Sequence, residues 1–300
     1  MTAPRDDLSR RDFIRGTASA TLAGVTGTAS AMTPAKPKPG DKTRVVLVRH
    51  KDVLDKGGRP DAKITQQMLD DGILALLGEQ EIQAAWRRLI RPDDVVGIKS
   101  NVWGRLPTPA AVEQALSRRV REAGVAQHNI AIDDRRVLRN PVFKRSTALI
   151  NARPMRTHHW SGLGGCIKNY VMFVPTPWAY HGGFCSPLGK IWHLPLVKGK
   201  TRLNVLVLLT PLFHGIGPHH YDPRHIWPYR GLLLSKDPVA IDTIGRQIIK
   251  AYRRQHFGED RPFKPPTRHI EAADQQHKIG TSDPAKIELV KLGWTDGVLI

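Results

Sequence analysis

The sequence predicts an α/β fold: a mostly parallel central sheet flanked by helices, with a loop-rich insertion region crowded with His and Trp. Three observations carry this expectation. Short β-branched runs alternate along the chain with segments of helical period. The run "LNVLVLL" (203–209) is almost continuously apolar, which suits a strand covered on both faces. Proline and glycine also bracket expected helices, as Pro109 and Gly124 do around "AAVEQALSRRVREAG".

The chain opens on a targeting pattern. Ser9-Arg10-Arg11-Asp12-Phe13-Ile14-Arg15 resembles a twin-arginine translocation signal, and a weakly apolar stretch rich in Ala, Gly and Thr follows it. Ala29-Ser30-Ala31 then fits a small-x-small cleavage site. The expected organisation is a signal peptide over 1–31, a flexible Pro-rich linker over 32–43 and a single α/β domain over 44–300. The twin-arginine export machinery is the expected partner and the periplasm the expected location. That route carries proteins that have already folded.

Within the domain, "RVVLVRH" (44–50) reads as a first strand. Ile64, Met68, Leu69, Ile73, Leu76 and Leu77 recur at helical spacing and Gly78 closes the helix. "DDVVGIKSN" (93–101) is a second strand ending in polar Lys99 and Asn101, and "NIAIDD" (129–134) a third. "TALINAR" (147–153) makes a fourth, and the apolar run over 203–209 follows. A last helix starts at Pro238 with Asp237 as its N-cap. In such sheets ligands gather beyond the carboxyl ends of the strands, where Lys99, Asn101, Asp133, Asp134 and His158 are expected. From about Met155 to Arg230, Gly and Pro predict loops. Eight of the thirteen histidines fall in this stretch, and loops on a rigid scaffold are a usual place for a site.

Forty-six Lys and Arg against 27 Asp and Glu give a formal charge of +19. The basic residues are scattered and no nucleic-acid motif is found among them, so a small anionic ligand is the expected partner and nucleic acid is not. No apolar run approaches the ~20 residues of a membrane span.

"DDVVGIKSN", "REAGVAQHNIAIDD", "ALINARPMRTHHWSGLGGCIKNYV", "YRGLLLSKDPVAIDTIG" and "HIEAADQQHKIGTSDPAKIELVKLG" fall in an order that resembles the domain of unknown function 362 family. The resemblance runs from about Val45 to Gly293. It implies a fold and leaves the chemistry unassigned. Some members carry ferredoxin-like cysteine motifs; with only Cys166 and Cys185, no four-thiolate iron–sulfur cluster is expected from this chain alone. Many members also place an acid in or just after the strand at 204–209, where this chain has Thr210 and His214.

Three chemistries compete for the stretch "THHWSGLGGCIKNY" (157–170) and its surroundings. A divalent transition metal, zinc or iron, would take His158 and Cys166 first, then His181 and Cys185, with His193, His214, His219 and His220 as further donors. The signal is compositional, since neither C-x-x-C nor H-E-x-x-H occurs. His158 and His159 would point to opposite faces of a strand unless the chain turns there. Alternatively Cys166 and Cys185 form a disulfide, although a free thiol or a ligand is favoured for a chain that folds before export. Third, Gly162, Gly164 and Gly165 precede a helix holding Lys168, and helix N-termini bind anions; Lys99, Arg135 and Arg136 would add charge. Asp237 reads as a helix cap, and Asp242 as a ligand, a partner for a basic residue or a surface carboxylate.

The expected function is an exported enzyme, metal-dependent, acting on an anionic or hydroxylated small substrate. His159, Lys168 and His214 would be catalytic, and Lys99, Asn101, Asn169 and Trp160 would bind substrate. The alternative is a non-catalytic periplasmic binding protein for a metal or an anionic or glycan ligand.

Overall fold

The computed structural model describes residues 42–217 and 221–300. The expected signal peptide, nearly all of the linker, His219 and His220 lie outside the described residues. Eight strands form one sheet: β1 (Thr43–Arg49), β2 (Val96–Lys99), β3 (Ile130–Asp133), β4 (Ala148–His158), β5 (Gly162–Gly164), β6 (Thr201–Leu212), β7 (Gly231–Ser235) and β8 (Ile287–Gly293). Their order is β3-β2-β4-β6-β7-β1-β8, with β5 pairing β4 off this path. β2 pairs parallel with β3 and β4, and β4 with β6. β7 is antiparallel to both β6 and β1, and β1 pairs parallel with β8. The expected α/β fold with a mostly parallel sheet is what forms.

Faces follow from strand alternation. Val46, Val48, Val96, Ile98, Ile150 and Val205 face α1 (Ala62–Leu77), α2 (Ile82–Leu89) and α3 (Ala110–Glu122), whose Met68, Ile73, Trp86 and Leu116 complete an apolar cluster. Val45, Leu47, Leu206 and Leu233 face the other way and bury Ala240, Ile241, Ile244 and Ile248 of α7 (Pro238–Phe257). Asp237 caps α7 as expected, accepting from the N–H groups of Val239 and Ala240. Gly78 and Gly124, both at positive φ, stand at the ends of α1 and α3.

From β2 the chain steps to β3, then crosses back through α4 (Pro141–Lys144) to β4 on the other side of β2. That reversal makes the crevice between the carboxyl ends of β2 and β4 the switch point where such sheets take ligands.

The insertion region departs from expectation at its start. Met155–His158 are strand, because β4 runs on past Pro154 by shifting register against β6 between Pro154 and Arg156. Beyond it come single turns, α5 (Cys166–Asn169) and α6 (Gly182–Cys185), with short 3-10 segments around them. α2, α8 (Arg268–Gln275), β7 and β8 were not anticipated from the sequence.

A candidate anion site at the strand ends

Register aligns five polar residues across the sheet: Asp133, Lys99, Asn151, Asn204 and Ser235 pair in turn across β3, β2, β4, β6 and β7. The three central side chains are completely buried, so their polar atoms need partners within the protein. Lys99 Nζ donates to Asp134, to the Ser100 carbonyl at 2.7 Å and to Asn169 Oδ1 at 3.4 Å. Asn169 Nδ2 donates to Asn151 Oδ1 at 2.8 Å, and Asn151 Nδ2 to Asn204 Oδ1 at 2.9 Å. Asn204 Nδ2 reaches the carbonyls of Ser235 and Lys236. This chain of amides fixes Lys99 and Asn169 from behind.

Burial draws the Lys99 ammonium down to about 8 even with the Asp134 charge beside it. For Asp134 burial pushes upward, but the Lys99 charge and hydrogen bond and the Val102 N–H outweigh it, and the net shift is downward.

Three further cations lie buried close by and are far less well served. Arg153 is 3% exposed and makes no side-chain hydrogen bond among the described residues; its Nε is wholly enclosed. Arg156 donates to the Leu106 carbonyl and to Asn101 Oδ1, lies over the Trp103 ring at 4.6 Å and leaves Nε unmatched. Lys168, also 3% exposed, has the Cys185 thiol at 3.7 Å and the Trp160 ring at 5.9 Å, and no carboxylate. Gly183, Phe184 and Cys185, three consecutive residues at positive φ, bring that thiol to it. Burial lowers Lys168 to about 8. His269 of α8 is buried with both ring nitrogens unpartnered, and burial, then Lys168, take it down to about 3. A cation or imidazole enclosed without partners is costly, and native proteins resolve the cost with a bound group or water.

The glycine-rich turn serves a different purpose from the one expected. The free N–H groups of Cys166 and Ile167 at the start of α5 already donate to Asp242, at 2.7 and 3.0 Å. Asp242 is therefore a buried cap delivered from α7, neither a surface carboxylate nor a ligand. A Cβ at Gly165 would run into its carboxyl group, so glycine is required there. Burial raises the Asp242 carboxyl to about 7 against these two donors and the nearby Arg153.

Of the expected substrate-binding residues, Lys99, Asn101 and Asn169 come together, with Asn101 Nδ2 3.4 Å from Asn169 Oδ1. Lys99 spends its three N–H groups on internal partners. Trp160 sits at the rim, 44% exposed, with the rings of His159 and His181 each 4.0 Å away. The chain turns after His158, so His158 and His159 stack at 4.5 Å instead of pointing apart. His158 Nδ1 accepts from the Trp160 N–H, which makes it neutral with its proton on Nε2. His214 is not brought to Lys168; it packs on Arg253, His225 and Phe257. Arg135 and Arg136 are exposed and outside the cluster.

The expected metal ligands are not assembled. Among the described residues no three His, Cys, Asp or Glu side chains are grouped to hold an ion. Cys166 packs among Met155, Leu163 and Ile241, where burial pushes its thiol far up, whereas Cys185 faces Lys168. Among the described residues, a dication beside His158 and Cys185 would also meet Lys168, Arg153 and Arg156. Both cysteines are free thiols. His193 Nε2 is engaged with the His277 carbonyl.

Arg153, Arg156 and His269 were missed from the sequence. The legible signal was two arginines inside a strand that must be buried, either side of a proline. Two cavities, of about 400 Å³ beside Ser235–Asp237 and about 440 Å³ beside Thr157 and His214, are lined by other residues. It is therefore unmatched charge, and not open volume, that singles out the Arg153–Lys168 cluster. No helix among the described residues is long and apolar enough to cross a membrane.

No curated protein and no solved structure matches the chain. Residues 128–247 match the family described as a domain of unknown function, DUF362. That segment runs from β3 into α7 and holds Asp134, Arg153, Arg156, Lys168 and Asp242, while Lys99 and His269 flank it. The likeness to that family thus extends over residues 128–247, and the buried cation cluster is built largely from this segment.

Proposed function

We propose that this is an exported protein that binds a small oxyanion, a phosphate or carboxylate group on a small molecule, between Arg153, Lys168, Arg156 and His269. One observation carries the reading: among the described residues, buried Arg153 makes no side-chain hydrogen bond and the lysine beside it has no carboxylate partner. An oxyanion would supply both the charge and the acceptors these groups lack. Asp134 and Asp242 both act on Arg153 through their charge but do not accept from it, because one carboxylate is held by Lys99 and the Val102 N–H and the other by the N–H groups of Cys166 and Ile167.

Lys168 is also the group placed to move a proton. With its ammonium drawn down to about 8, it holds or releases a proton near neutral pH, next to the bound anion. The twin-arginine pattern at Arg10-Arg11 supports export.

Calorimetric titration with inorganic phosphate and with oxalate tests this and separates the two sources of oxyanion. Saturable binding of at least one is expected, weakening as pH rises through 8 and Lys168 loses its proton. Arg153→Met should weaken it at least tenfold, about 1.4 kcal/mol. Absence of binding for both probes, or equal affinity in Arg153→Met, overturns the reading.

A further inference from the structure

The cavity of about 440 Å³ on the other side of the β4–β5 hairpin has a chemistry of its own. Its wall is made by Thr157 and Gly162 of the hairpin, His214–Ile216 after β6, Arg253 of α7 and the segment Arg261–Lys264. The lining contains three cations and no carboxylate.

Arg253 is buried and all its donors are used. It donates to the carbonyls of Phe213, Arg261 and Pro262 and to His214 Nδ1 at 3.0 Å. Each acceptor is neutral, so its charge stays unbalanced and projects into the surroundings.

The contact with His214 settles that ring's protonation. An arginine N–H only donates, so Nδ1 must accept, and the neutral ring carries its proton on Nε2. Burial, then the Arg253 charge, keep the ring neutral by lowering it to about 4. Nε2–H has no partner among the described residues. Among the described residues Arg261 spends only Nε, on Glu259, and the Lys264 side chain makes no hydrogen bond. The lining also holds the apolar side chains of Ile216, Pro262 and Phe263.

We infer that this cavity is a second ligand site, selecting a small organic monoanion whose carboxylate meets His214 Nε2–H and Lys264 while its apolar body lies on Phe263 and Ile216. The volume is within the usual range for small-molecule pockets, and an apolar wall with a few fixed polar groups is their usual composition. The inference is independent of the Arg153 cluster, which uses none of these side chains.

Benzoate is the probe, with neutral benzamide as its isostere, titrated into the full chain by calorimetry at neutral pH. Saturable benzoate binding in the millimolar range or tighter is expected, with benzamide at least tenfold weaker. His214→Leu and Lys264→Ala should each weaken benzoate severalfold. His214→Gln, which keeps an N–H donor and an acceptor for Arg253, should retain most of the affinity. Lys264 is exposed, so its variant reports even where the His214 change disturbs folding. Titrated in the Arg153→Met background, which removes the first oxyanion site, benzoate binding should persist and still weaken on Lys264→Ala, which separates this site from the first. No saturable binding, equal affinity for benzamide, or indifference to Lys264→Ala overturns the inference.

Discussion

Lys99 and Lys168 occupy the same kind of place with opposite surroundings. Both are enclosed and both are drawn down to about 8 by burial. Lys99 has a carboxylate, a carbonyl and an amide oxygen for its three N–H groups. Lys168 has a thiol at 3.7 Å and the face of an indole. The lesson is that burial of a charge does not by itself mark a site. A buried cation whose donors are filled is a strut, and one left short of acceptors is where an anion gains most.

Removing the strut should cost the most. Lys99→Met takes from buried Asp134 its hydrogen-bonded ion-pair partner, leaving it the Val102 N–H and the charge of Arg153, and a loss of roughly 3–5 kcal/mol is expected from urea unfolding. The carboxyls repeat the contrast and sharpen it. Asp134, paired with Lys99, lies below its ordinary value, whereas Asp242, held only by two backbone N–H groups, is raised to about 7. The folded protein thus keeps the Asp242 proton over a range where the unfolded chain has released it. Its contribution to stability is complete below about 3.9 and is lost as pH rises through 7. Asp242→Asn should remove this decline, on the order of 2 kcal/mol between pH 5 and 8, while wild type retains it. The smallest effect belongs to Lys168→Met, which takes away an unbalanced charge and should change ligand-free stability by less than about 1 kcal/mol. A loss as large as that of Lys99→Met would break the comparison.

How much of this was legible in the sequence depends on the distance over which each feature is determined. The strands at 44–50, 93–101 and 129–134 and the capped helices are written in local periodicity and in Pro and Gly placement, and they form where expected. So does the gathering of Lys99, Asn101 and Asn169, because strand direction brings the carboxyl ends of β2 and β4 together. β7 was hidden because "GLLLS" is short and its reversal depends on the connection from β6. Met155–His158 read as loop because Gly and Pro crowd the stretch that starts there, whereas β4 runs on past Pro154 through a register shift. The candidate metal ligands among the described residues stay apart for a related reason. Histidine content is a property of composition, and whether rings converge depends on turns such as the one after His158, which stacks them on each other and on Trp160. The orphaned state of Arg153 and His269 could not be read at all. It arises from what is missing around them in three dimensions.

The central claim is that an oxyanion sits between Arg153 and Lys168. Its most direct test is a crystal of the protein soaked in tungstate, a heavy oxyanion whose anomalous scattering locates it without ambiguity. The account expects a peak within hydrogen-bond reach of both the Arg153 guanidinium and Lys168 Nζ, lost in Arg153→Met. Finding Arg153 instead turned onto a carboxylate of the protein, with no tungstate beside Lys168, would contradict it.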